Sequence, residues 1–207
     1  MDYFHFSYTT LDREKENIPV HGRLLIIANQ PIGSLDGLAL IKLVSEVRRD
    51  IKVVTSEAVM SIKPLQSILL PTTSKKQTPD PQNHHAIKKY LQNEGVVIMF
   101  PAGEVSRLKP NGIRDTRWQY DFLNLACDTK SAILPVFLDG KNSPLFYTLS
   151  MIYKPLATLM LVQEMFKKRT KYLPVRVGES IAYESYNNPA INTHQKVKLL
   201  KKHLWKL

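Results

Sequence analysis

The chain has 207 residues, 43% of them hydrophobic, which allows a sizeable core and excludes disorder of its bulk. Its formal net charge of +11 favours a polyanionic partner, either nucleic acid or an anionic membrane leaflet, and its single cysteine, Cys127, excludes an internal disulfide and fits a reducing compartment. No apolar run approaches the roughly 20 residues that span a bilayer, the opening residues hold no apolar signal stretch, and zinc-ligand spacings, RNP-like aromatic motifs and glycine-rich nucleotide loops are missing.

In chain order, Leu24–Ala28 (LLIIA) is short, partly β-branched and ends in Asn-Gln-Pro, which predicts a buried strand running into a loop. Leu38–Val47 has helical spacing, with Leu40, Leu43, Val44 and Val47 on one face. Ile51–Thr55 predicts a second strand, His84–Asn93 a helix, and Val96–Phe100 (VVIMF) a third strand stopped by Pro101-Ala102-Gly103. Trp118, Phe122, Leu125 and Ala126 share a helical face. Ile133–Leu138 predicts a fourth strand and Pro174–Val177 a fifth. Strands alternating with helices predict an α/β sheet with helices on both faces. Ligands of such sheets sit beyond the carboxyl ends of the strands, where the loops NQPIGSLDG and FPAGEVSR fall.

Residues 1–185 read as one α/β domain, with no internal repeat or low-complexity linker. Residues 186–207 read as a basic amphipathic helix. Val197, Leu200, Leu204 and Leu207 form its stripe, among Lys196, Lys198, Lys201, Lys202 and Lys206. Such a face is expected to dock on a partner or membrane, or to lead into a further region beyond Leu207.

Three loops carry candidate chemistry. Asn29–Gly37 holds two glycines, a proline and Asp36 after a buried strand. It reads either as a ligand-facing backbone loop or as a strand-to-helix turn with a carboxylate at a helix start. Phe100–Arg107 sets Gly103, Glu104, Ser106 and Arg107 together. Arg107 suits a phosphate, Gly103 close backbone approach and Ser106 a hydrogen bond, against the plainer reading of a turn with a solvated ion pair. Leu134–Ser143 taken alone reads as core and turn.

Together, in this order, the three loops resemble the lysophospholipid/glycerol-phosphate acyltransferase family, and most closely its bacterial hemolysin-like, ornithine-lipid-related branch. That branch reads Asn-His-Pro-x-Gly-x-x-Asp-Gly, Phe-Pro-Ala-Gly-Glu-x-Ser, and a Pro-Val strand followed by Gly-x-Asn-Ser. Here these stand as Asn29–Gly37, Phe100–Ser106 and Pro135–Ser143, and the likeness covers roughly residues 18–181. The resemblance implies a mixed, mostly parallel sheet flanked by helices. It also implies acyl transfer from acyl-CoA or acyl-carrier-protein to a hydroxyl of a lysophospholipid or similar lyso-lipid, in phospholipid biosynthesis, with no metal and no cofactor. A histidine acts as general base and an aspartate orients it. On this chain Gln30 takes the base position and Asp36 the orienting one. Asn29, Gly33, Gly103, Glu104, Ser106 and Arg107 are expected to bind substrate.

Gln30 departs from the pattern, because an amide has no pKa near neutrality and cannot serve as a base. Three accounts follow: an engineered inactivation, a non-catalytic lipid- or carrier-protein-binding relative, or another base, with His21, His84 and His85 the candidates nearby in sequence. Separately, Leu156, Leu159, Met160, Met165 and Phe166 precede Lys167, Lys168, Arg169 and Lys171. An apolar surface with a basic rim suits anionic lipid. That segment and the terminal helix are expected to form one interfacial face, on a cytoplasmic protein peripheral to the inner face of the membrane. Nucleic acid is not expected as a partner, since charge alone speaks for it.

Overall fold

The computed structural model describes residues 6–56, 63–72, 81–168 and 171–207. In chain order it holds β1 (Ser7–Thr9), α1 (Asp12–Lys15), β2 (Leu24–Ala28), α2 (Ser34–Ser45) and β3 (Ile51–Ser56). A 3-10 turn (Lys63–Ile68) leads into β4 (Leu69–Thr72), α3 (Pro81–Gln92) and β5 (Val96–Met99). A ribbon of β6 (Arg107–Lys109) and β7 (Gly112–Arg114) precedes α4 (Asp121–Thr129) and β8 (Ala132–Leu138). The chain closes with α5 (Pro144–Ile152), α6 (Lys154–Lys167), β9 (Tyr172–Val177), α7 (Tyr183–Tyr186) and α8 (Thr193–Leu204).

A 7-stranded sheet runs β1-β9-β8-β2-β5-β3-β4. Neighbours from β8 to β4 are parallel, β9 is antiparallel to β8, and β1 is parallel to β9, with Ser7 opposite Tyr172. This is the expected mixed, mostly parallel sheet flanked by helices. β2 lies at its centre and every residue of it is buried, because both faces are covered. Leu24 and Ile26 enter one core with Leu40, Leu43 and Val44 of α2. Leu25 and Ile27 enter the other, with Ile87 and Leu91 of α3 and Phe122, Leu125 and Ala126 of α4. A third cluster of Val105, Phe146, Tyr147 and Ala157 lies under the α5–α6 hairpin.

The terminal helix departs from expectation. Val197, Leu200 and Leu204 of α8 are buried in the second core, so its apolar stripe faces the sheet rather than a membrane. Its start is fixed by Asn192, whose side chain accepts the Gln195 N–H while Gln195 reaches back to the Asn192 N–H. Arg169 lies outside the described residues.

At the amino ends of the central strands, the buried Arg48 guanidinium binds Asp50 and donates to the carbonyls of Gly22 (2.6 Å) and Glu94 (2.6 Å). That end is stitched shut. The loops at the other end are arranged differently.

Candidate active site

The loop after β2 begins with a latch. Asn29 Nδ2 donates to the Leu138 carbonyl (2.9 Å) and Asn29 Oδ1 accepts the Leu138 N–H (2.7 Å), prolonging the β2–β8 pairing by one rung. Asn29, expected to bind substrate, has both polar side-chain atoms engaged by Leu138. Gly33 has φ +106, a conformation that side-chain-bearing residues rarely adopt. Asp36, in the first turn of α2, reaches back and accepts the N–H groups of Ile32 (2.9 Å) and Gly33 (2.8 Å) through Oδ2. Its other oxygen, Oδ1, is buried without a hydrogen-bond partner. Burial pushes the Asp36 pKa well above the usual carboxylate range, against the two N–H bonds.

Gln30 joins this loop to the next through its backbone. Its carbonyl accepts the Ser106 N–H (2.8 Å) and lies 3.2 Å from the Ser106 hydroxyl, and its N–H points at Asp115 Oδ1 (3.5 Å). The Gln30 side chain is half-buried and makes no hydrogen bond among the described residues. Ser106 is fully buried and donates to Asp115 Oδ1 at 2.5 Å, while the Trp118 indole N–H donates to Asp115 Oδ2 at 2.8 Å. Ser106, expected to bind substrate, thus ties two loops together. Burial pushes the Asp115 pKa up, opposed by the bonds from Ser106 and Trp118. Lys201 of α8 adds hydrogen bonds to the carbonyls of Asp115 (3.2 Å) and Thr116 (2.5 Å).

Arg107 opens β6. One of its terminal nitrogens lies 3.6 Å from Glu104 Oε2, and its guanidinium stands 5.4 Å from the Phe146 ring centroid. Its Nε and Nη1 are buried and have no hydrogen-bond partner. Gly103, with φ +65, turns the chain ahead of it, and open space lies beyond the position a Cβ would take.

The third loop closes on the first. Asn142 Nδ2 donates to the Pro31 carbonyl (3.2 Å), the Asn142 N–H donates to the Tyr147 hydroxyl (3.0 Å), and Asn142 Oδ1 is buried without a partner. A Cβ on Gly140 would come within 3.0 Å of Leu173 and 3.1 Å of Pro31, so glycine lets the loops meet. Ser143 caps α5, and its N–H and hydroxyl both donate to Glu164 of α6 (2.7 Å each). Burial raises the Tyr147 pKa, its hydrogen bond from Asn142 opposes this, and Glu164, Asp36 and Arg107 all act on it through their charges. Among the described residues, the unpartnered buried polar side-chain atoms are those of Asp36, Arg107 and Asn142, plus the Trp205 indole N–H elsewhere.

The sequence profile of a family described as "Acyltransferase" matches residues 3–207. This chain belongs to the acyltransferase family. Among its relatives, a lyso-glycine lipid O-acyltransferase of Bacteroides thetaiotaomicron is 31% identical over 83% of this chain and 65% of its own length. A lyso-glycine lipid O-acyltransferase of Phocaeicola vulgatus is 27% identical over 83% of this chain and 64% of its own length. The chain therefore spans somewhat less than two thirds of these curated relatives. In fold it is similar to the 1-acyl-sn-glycerophosphate (LPA) acyltransferase of Thermotoga maritima, with a TM-score of 0.60 at 17% identity, over 99% of this chain and 73% of that one.

Within this acyltransferase-family chain, the histidines weighed as substitute bases make no hydrogen bond to Gln30 or Asp36 among the described residues. His21 is exposed ahead of β2, and that strand alone separates it from Gln30 by about 13 Å. His84 and His85 lie on α3, where the charge of His84 acts on Asp121 of α4. Sequence reasoning missed Asp115, Asn142, Tyr147 and Glu164 as partners. The one signal for Asp115 was a lone acid in the basic stretch RLKPNGIRDTRW. No group of three His, Cys, Asp or Glu residues among the described residues is placed to hold a metal ion, and no described helix is long and apolar enough to cross a membrane.

Proposed function

We propose that this chain transfers a fatty acyl group from a thioester, acyl-CoA or acyl-carrier-protein, to a hydroxyl of a lyso-lipid at a membrane surface. The observation that carries this is the two unpartnered, buried Arg107 nitrogens, Nε and Nη1, in the loop that Ser106 ties to Gln30. A desolvated guanidinium with free donors is a recognition element for a carboxylate or phosphate head group. The acceptor of the Bacteroides relative is, by its name, a lyso-glycine lipid. An acceptor of that class is our reading here.

The acceptor oxygen attacks the thioester carbonyl carbon, the C–S bond breaks, and the sulfur leaves as the thiol with the proton given up by the hydroxyl. The Gln30 amide oxygen can orient that hydroxyl but cannot take its proton. A missing general base typically costs about 10²–10⁴ in rate, so turnover is slow. Asp36 Oδ1 is the buried acceptor that a ring N–H at position 30 is expected to use.

The test is acyl transfer from labelled acyl-CoA and acyl-carrier-protein to a panel of lyso-lipids, comparing the chain with Gln30→His. A gain of about 10² or more in kcat for the histidine variant supports the assignment. Equal activity of the two chains removes Gln30 from the base position. Inactivity of both favours a non-catalytic lipid- or carrier-protein-binding module, the reading that the glutamine itself supports.

A further inference from the structure

The α5–α6 hairpin is built from two helices with opposed faces. Phe146, Tyr147 and Ala157 face inward, and Glu164 is 1% exposed and held by Ser143, Lys167 and Lys168. The outer face is apolar: Leu145 is 62%, Met151 71%, Ile152 78% and Leu159 71% exposed, with Leu156 and Val162 beside them. On α6, Leu156, Leu159 and Val162 share one side at helical spacing, opposite Ala157 and Glu164. An apolar face of this kind on a chain with so basic a composition calls for a cover.

Charge identifies the cover. Between residues 141 and 172 the sequence carries Lys141, Lys154, Lys167, Lys168, Arg169 and Lys171 against a single acid, Glu164. That acid is buried and neutralised by lysines, so it contributes no exposed negative charge to the face. Lys167 and Lys168 are taken up by that acid, which leaves the exposed Lys141, Lys154 and Lys171 in excess. Apolar side chains on a segment with such an excess match the interfacial layer of an anionic bilayer, where acyl chains take the apolar tips and lipid phosphates the cations. A protein partner would more often be met by mixed charge at the rim.

We propose that the outer face of the α5–α6 hairpin is the membrane-docking surface of this protein, seated on anionic lipid with Met151, Ile152 and Leu159 in the headgroup–acyl boundary. The hairpin is also the roof of the candidate site. Leu161 reaches the Gly33 turn, Phe146 lies against Arg107, and Tyr147 bonds Asn142. A cleft of about 300 Å³, lined by Leu108, Ile113, Asn142, Pro144 and Tyr147 among others, lies at its edge. Docking there brings this cleft to the bilayer surface, so that a lyso-lipid need not cross water. This purpose rests on the acyl-transfer reading, but the docking itself does not.

The experiment is flotation of the full chain with vesicles of phosphatidylcholine alone and of phosphatidylcholine with phosphatidylglycerol. It compares the parent with Ile152→Glu/Leu159→Glu and with Lys154→Glu. In parallel, Ile152→Trp reports depth through quenching by lipids brominated on their acyl chains. We expect binding to the anionic vesicles that weakens with salt, a loss of about tenfold or more in the double variant, a smaller loss for Lys154→Glu, and quenching of the tryptophan. Circular dichroism identical to the parent establishes that the variants are folded. Undiminished binding of the folded double variant, or an unquenched tryptophan on bound protein, overturns the proposal. So does self-association in sedimentation that the double variant abolishes, which would assign the face to a second copy. Flotation does not depend on turnover, so failure of the acyl-transfer assay leaves this result intact.

Discussion

Arg107 holds a desolvated charge with two donors unmet and a carboxylate only at 3.6 Å. Such an arrangement costs stability and is retained where a ligand completes it. Replacing Arg107 with methionine keeps an apolar stem on Phe146 and removes the donors. On the Gln30→His background we expect KM for the lyso-lipid to rise by about 10- to 100-fold, with a smaller change in kcat, and the thermal midpoint to stay level or increase. Steady-state kinetics and a melting curve check both halves. Asp36 shows how one residue supports two readings. A carboxylate eight positions past a buried strand was legible as a helix-start acid and as a motif member, and the structure has it capping α2 while keeping one oxygen unbound. Asp115 was not legible, because its meaning comes from Ser106, Trp118 and the Gln30 backbone, which only the fold assembles.

The α5–α6 hairpin is fastened by Glu164. Burial opposes its charge, but bonds from Lys167 and Ser143 and the charge of Lys168 prevail and hold its pKa down to about 2. A carboxyl depressed in the folded state stabilises fully above its unfolded value of 4.5, and that contribution is lost as pH falls from there towards 2. Hydrogen exchange is therefore expected to show protection across 144–167 weakening near pH 3, ahead of the central strands. Glu164→Gln should bring the same loosening to neutral pH, at a cost of about 3 kcal/mol, since Lys168 is left half-buried and unpaired. The sequence read this segment as an apolar helix with a basic end, which holds, but passed over the one acid inside it. The strands were legible for a simpler reason: β2, β5 and β8 are buried on both faces and so read as unbroken apolar runs. The β6–β7 ribbon and β1, only 3 residues each and partly exposed, leave no such run.

At the scale of the molecule, two amphipathic segments met opposite fates. The terminal stripe of Val197, Leu200 and Leu204 closes the second core, whereas the hairpin's outer face stays open. Periodicity marks an apolar face but not what it packs against, so sequence alone left a membrane open to both, and a partner or a further region to the terminal helix. Deleting residues 193–207 removes three core side chains worth about 1.5–3 kcal/mol each, against a total stability of about 5–15 kcal/mol. Loss of a cooperative thermal transition is the expected result, readable by calorimetry, whereas the hairpin variants should melt like the parent. The strand order also sets a timetable. Among the described residues, β1 pairs in the sheet with β9 alone, which is made more than 160 residues later. At synthesis rates of about 5–20 residues per second, Ser7–Thr9 waits roughly ten to thirty seconds on the ribosome before its pairing partner exists. The first strand of this chain is among the last to join the sheet.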